Sequence, residues 1–191
     1  MKKWTSLVSL CALLIGFYSH AQDGLSQFSI NNGVSYFKTS EKSIIEHTAT
    51  VARQSTLLKV LKATNLDEVL SYNGEFTVFA PTNLAFEKLS KLTIDKLFDP
   101  QNKKILTSIL SFHIIAGKLS ASAILRAMCR GNGIATFTTI QGEKITATMR
   151  GLDIILTDKI GNEAIILKAD ANQCNGIIHE IDTVFLPSIM P

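Results

Sequence analysis

The stretch Thr77-Val-Phe-Ala-Pro-Thr-Asn-Leu-Ala-Phe86 decides how this chain folds. Glu75 to Ala80 alternates in the period-two manner of a strand, and Pro81, which lacks an amide hydrogen, stops it. Asn83 then stands where a side-chain acceptor can cap a helix starting at Leu84, with Phe86 on that helix, while Pro81 holds the approach through Thr82 extended. The segment is thus a strand, a hard corner and a capped helix. A second segment, Asn175-Gly-Ile-Ile-His-Glu-Ile-Asp-Thr-Val-Phe-Leu-Pro187, has strand character throughout. Ile177, His179, Ile181, Thr183 and Phe185 fall on one face, and Ile178, Glu180, Asp182, Val184 and Leu186 on the other.

Along the chain the period changes once. From Ser43 the apolar residues recur at helical spacing: Ile44, Ile45, Ala49, Ala52, then Leu57, Leu58, Leu61, and Leu66, Val69, Leu70 beyond Asn65. Asn73-Gly74 is a turn signal. Asp99-Pro100 opens another helix that runs to about His113, with Ile105, Ile109 and His113 along one apolar face. A short helix follows near Ala121 to Met128. Beyond it, glycines 131, 133, 142, 151 and 161 punctuate β-rich runs at 135–140, 144–149, 152–157 and 163–168. Helices first and a hairpin meander second define an α+β domain.

The amino terminus directs the chain out of the cytoplasm. Lys2 and Lys3, an apolar run from Leu7 to Phe17 and the small-x-small site Ser19-His20-Ala21 predict a secretory signal peptide over residues 1–21. The run is too short for a membrane span, which needs roughly 20 apolar residues, and Leu10 ahead of Cys11 does not fit a lipoprotein signal. Residues 22–42 are polar and without a sustained period, a flexible N-terminal segment; 43–187 form the domain and 188–191 a short tail. Loss of Lys2 and Lys3 with the leader lowers the formal charge from +3 to +1. With no basic run on any predicted element, nucleic acid and anionic membranes are excluded as expected partners.

Enzyme signatures are missing from the sequence. There is no G-x-S-x-G, H-E-x-x-H or G-x-x-x-x-G-K, and Gly131-Asn132-Gly133 lacks the third glycine of a dinucleotide loop. His47, His113 and His179 are isolated, and Cys129 and Cys174 do not have zinc spacing, so no metal or cofactor is expected. Residues 170–176 start like a calcium loop, but Cys174 stands where an oxygen ligand belongs and Asn175 where glycine does. His113 and His179 both read as core histidines whose ring nitrogens need local partners. Cys129 and Cys174 are either two separate thiols or a disulfide closing a loop of about 45 residues.

Thr77–Phe86, the central Phe112-His-Ile-Ile-Ala-Gly-Lys-Leu-Ser120 and Asn175–Pro187 resemble, in this order, the opening, middle and closing motifs of the fasciclin-like domain family. The resemblance covers about Ser43 to Pro187. It carries Thr77, Phe79, Pro81, Thr82, Asn83, Phe86, His113, Asn175, Gly176, His179 and Asp182 as structural motif residues. Phe112 departs from the pattern, which has tyrosine there. The resemblance implies an antiparallel β-sandwich-like core with helices against it, and a non-catalytic adhesive or binding role outside the cytoplasm. Its partner would be a cell-surface or matrix protein, a second copy, or a polysaccharide, the last disfavoured because Trp4 is the only tryptophan and leaves with the leader. In animal members of the family the chain resembles, an Asp-Ile pair ahead of the last motif is associated with integrin binding. Asp170 matches its aspartate, Ala171 replaces its isoleucine, and Asp170 is retained as a candidate surface contact against a plain turn role. The competing expectation is a hydrolase or small-ligand binder with a cleft near His113 and His179.

Overall fold

The computed structural model describes residues 30–31, 34–35, 41–71 and 74–186. The predicted signal peptide, most of the 22–42 segment, Asn73 of the turn signal, Pro187 and the tail lie outside them. Two units separate, at 1–38 and 39–191. In the first, β1 (Ile30–Asn31) pairs antiparallel with β2 (Val34–Ser35).

The second unit opens with α1 (Ile44–Thr50), α2 (Ser55–Ala63) and α3 (Leu66–Val69). Ser43 and Glu46 form a reciprocal capping box that fixes where α1 begins. Then come β3 (Phe76–Pro81), α4 (Asn83–Glu87), α5 (Lys91–Phe98), α6 (Lys103–Phe112), β4 (Ile114–Ala116) and α7 (Ala121–Arg130). The meander is β5 (Ala135–Thr138), β6 (Lys144–Arg150), β7 (Asp153–Thr157), β8 (Glu163–Gln173) and β9 (Gly176–Ile181). Most of these fall where the sequence places them, but β8 runs five residues further, β9 ends at Ile181 rather than continuing toward Pro187, α5 and β4 were not expected, and Asp99-Pro100 starts a 3-10 turn (Pro100–Asn102) that leads into α6.

The sheet corrects the expected architecture. Seven strands lie in the order β4-β3-β9-β8-β7-β6-β5, and β3 runs parallel to β9 while every other pair is antiparallel. The Ile140 amide, just past β5, donates to Ile114 O on β4 at 2.8 Å, so the two ends of the sheet approach each other. The result is one sheet nearly closed into a barrel, not two stacked layers. Register shifts in β8 near Lys168 give the curl that such closure needs.

The parallel pair β3–β9 is a wall buried on both sides, and β9 has no exposed residue. Val78, Ala80 and Ile178 face the helices, where Ile44, Leu57, Leu61, Leu106, Ile109 and Leu110 complete one core. Phe79, Ile181 and Phe185 face the barrel interior with Ile145, Ala147 and Leu156. Ile124 and Met128 bring α7 into that second core.

Candidate functional site

Both motif segments lie on this central wall, and their polar side chains are spent on holding neighbouring segments to it. Thr77 Oγ1 donates to Gly117 O at 2.6 Å and accepts from Leu119 N at 2.8 Å, pinning the turn that precedes α7. Pro81 ends β3 opposite Ile181. Thr82, not Asn83, is the helix cap: its Oγ1 accepts from Ala85 N at 3.3 Å, and Asn83 is already the first residue of α4. Asn83 serves a different element, accepting from Thr56 N at 3.0 Å and donating to Ala52 O at 3.0 Å, so it ties α4 to the start of α2. Phe86 anchors α4 in the helical core.

Asn175 works the same way at the other end of the wall. Its Oδ1 accepts from Ile44 N at 2.8 Å, its Nδ2 donates to Leu70 O, and its carbonyl accepts from Phe76 N at 3.1 Å. Gly176 lies so close to β3 that an added Cβ would sit 2.0 Å from Phe76 O. Asp182 accepts from Ile165 N at 2.8 Å and pairs with Lys88 Nζ at 2.9 Å. Burial alone would raise its carboxyl, but the Ile165 amide, Lys88 and Thr183 outweigh this and hold it below the ordinary aspartate range.

The two histidines are fully buried and engaged at both ring nitrogens. His113 closes α6, where Nδ1 reaches Ile109 O at 2.7 Å and Nε2 accepts from Phe185 N at 3.1 Å. A carbonyl only accepts, so the proton is on Nδ1. His179 has the opposite tautomer, with Nε2–H donating to Leu119 O at 2.8 Å and Nδ1 accepting from Asp170 N at 3.3 Å. Phe79 stacks beside it at 5.7 Å. Burial pushes His113 down to about 4 against a weaker upward pull from Ile109 O. Burial likewise lowers His179, opposed by Leu119 O and the Asp170 charge. Neither ring offers a free lone pair for proton transfer or metal ligation. Among the described residues no group of three His, Cys, Asp or Glu gathers in a way that could hold a metal ion.

Asp170 is half-buried in β8 with φ 60°, and its Oδ1 accepts from Ala121 N at 2.8 Å. It braces the start of α7. Phe112, without a hydroxyl, packs edge-on against Phe185 with ring centres 5.6 Å apart. Cys129 on the outer side of α7 and Cys174 in the β8–β9 turn are free, exposed thiols, the first of the two arrangements the sequence left open. Cys174 N is held by Lys42 O at 2.9 Å.

The sequence reading missed one pair. Arg53 grips Glu180 through two bonds of 2.7 Å, and Gln54 Nε2 adds a third at 3.2 Å. Glu180 is buried, so the pair fixes the turn before α2 to β9. An acid between Ile178 and the other apolar residues on the helix-facing side of a strand was the available sign that a cation had to meet it.

A near-closed seven-stranded sheet, helices on one wall and motif side chains committed internally define a packing module whose signature residues build the fold. Residues 52–187 match the Fasciclin domain family, and the chain belongs to it. It is 36% identical over 148 residues to Protein sll1483 of Synechocystis sp., covering 78% of this chain and 75% of that one. It is 37% identical over 123 residues to the cell surface glycolipoprotein MPB83 of Mycobacterium bovis, covering 64% of this chain and 48% of that one. The FAS1 domain pair of the insect cell adhesion molecule Fasciclin I has the same fold, with a TM-score of 0.61 at 18% identity over 77% of this chain and 51% of its own. The chain thus spans about half of the mycobacterial protein and of the domain pair. Proteins of the cell surface and of cell adhesion are therefore among those it resembles, and among the described residues no helix is long and apolar enough to cross a membrane.

Proposed function

We propose that this chain is an extracytoplasmic, non-catalytic fasciclin module that binds a surface or matrix protein, or a second copy of itself, through its outer surface. The observation that carries this reading is the commitment of both motif histidines to backbone partners at every ring nitrogen, which leaves the motifs no chemistry to offer a substrate. The surface and adhesion roles named for its relatives support the same reading. Contact then falls to the exterior, where among the described residues Leu84, Leu92 and Leu152 are the most exposed large apolar side chains. Asp170 is retained as a contact candidate through the carboxylate oxygen that Ala121 does not use.

The test is adhesion of the source cells to surfaces coated with the purified protein, alongside sedimentation of the protein alone. Retention that soluble protein competes away, or concentration-dependent dimerisation, supports the reading. A monomer to which cells bind no better than to an inert protein overturns it. Unchanged retention by Asp170→Ala removes that residue from the contact.

A further inference from the structure

His179 joins three pieces of chain that meet at the start of α7. Its Nε2–H holds Leu119 O, two residues ahead of that helix, at 2.8 Å. Its Nδ1 accepts the Asp170 amide at 3.3 Å, the longer and weaker contact of the two. Asp170 in turn places its carboxylate on Ala121 N, the first residue of α7, at 2.8 Å. Asp170 adopts φ 60°, a left-handed conformation that aspartate tolerates without preferring, so the bulge in β8 depends on such bonds.

Protonation has a defined consequence in this geometry. A proton taken from solvent can enter the ring only at Nδ1, which then becomes a donor aimed at the Asp170 N–H, itself a donor. The anion at hand is the Asp170 carboxylate, whose charge acts on the ring. The charged residue of the 117–119 turn, Lys118, is directed to Glu75 at 3.7 Å. Glu180, next to His179 on β9, is held by Arg53 on the other side of the wall, and Lys168 of β8 lies opposite Glu180. β3 contributes the uncharged Thr77 and Phe79.

We propose that His179 and Asp170 form an acid-operated latch on α7: ring protonation draws the Asp170 carboxylate from Ala121 N to Nδ1–H and loosens the first turn of the helix from the barrel. Ser120 still caps Ala123 N at 3.2 Å, so the helix persists while its outside brace is lost. The side chains uncovered as it loosens are Ile124 and Met128, both buried in the closed form. The transition falls below the ordinary histidine range, because burial opposes charging of the ring.

Hydrogen exchange of the full chain at pH 7.5 and pH 5.5, with times rescaled for intrinsic exchange, tests this. Peptides within 119–128 are expected to lose at least about tenfold more protection at the lower pH than β3 and β9 peptides, which report global unfolding. His179→Gln can donate to Leu119 O and accept from Asp170 N without titrating, so its 119–128 peptides should not respond to pH. Asp170→Asn keeps an acceptor for Ala121 N but cannot pair with an imidazolium, and it should also blunt the response; it decides the matter if the His179 variant does not fold. Retained protection at pH 5.5, loss spread evenly over the chain, or an undiminished response in both variants overturns the latch.

Discussion

Asn175 Oδ1 accepts the amide of Ile44 across 131 residues of sequence, and the same side chain donates to Leu70 O. One amide therefore joins the start of α1, the end of α3 and the strand β9. Asn175→Ala leaves a donor and an acceptor without partners in a partly buried site, at about 1–3 kcal/mol for each group. The expected loss is at least 2 kcal/mol in urea unfolding. Asn175→Asp keeps the acceptor for Ile44 but turns a second oxygen on Leu70 O, so it should recover only part. Wild-type stability in the alanine variant would remove the staple from the account.

Gly176 faces the Phe76 carbonyl with no room for a methyl group, since the added carbon would lie 2.0 Å from Phe76 O and 2.8 Å from Ile44 Cδ1. Because β3 and β9 are the buried pair, neither backbone can move aside cheaply. Gly176→Ala is expected to cost about 3 kcal/mol or more, at the upper end for single substitutions. Thermal unfolding measures it, and a shift of only a degree or two would contradict the close approach.

Arg53→Ala strips Glu180 of its two strongest contacts while Gln54 supplies one bond. Removing one partner of a fully buried pair costs about 3–5 kcal/mol, and the half-exposed position of Arg53 argues for the lower end. Adding Glu180→Gln should restore much of the loss by removing the uncompensated charge. A double variant no more stable than Arg53→Ala alone would show that the charge is not the cause.

Acid should weaken the fold in a defined window. His113 is lowered from 6.5 to about 4 in the folded state, so the unfolded chain binds the extra proton between those values. Its stabilisation is complete above pH 6.5 and is lost as pH falls toward 4, by roughly 3 kcal/mol at 1.4 kcal/mol per unit. Asp182, held below its ordinary range, adds a loss of the same sign at lower pH. Urea midpoints from pH 7.5 to 4 measure the slope, which His113→Gln should flatten.

Much of this fold was legible because its local signals agree. Alternation, Pro81 and a run of glycine turns place β3, β5, β6 and β7 within about two residues, and apolar spacing places most of the helices, whereas the far ends of β8 and β9 are set by pairing. Thr82 and Asn83 are adjacent cap formers of similar strength, so propensity could not choose between them; the choice followed from Asn83 reaching Thr56 N and Ala52 O, which only the packed fold brings near. Strand partners were equally hidden. Period two fixes which residues share a face, yet not that β3 lies parallel to β9, although Ile177 and Ile178 together are the double-sided apolar pattern of a buried parallel strand. Asp170 was visible as a turn residue, whereas its bond to Ala121 depends on a left-handed bulge in β8.

The central claim is that the motif residues build the interior and do no chemistry. Ring nitrogen NMR of the two buried histidines tests it most directly. At pH 7 both should be neutral with opposite tautomers, the proton on Nδ1 in His113 and on Nε2 in His179. A ring that titrates near 6.5, or that exchanges between tautomers, would contradict the account.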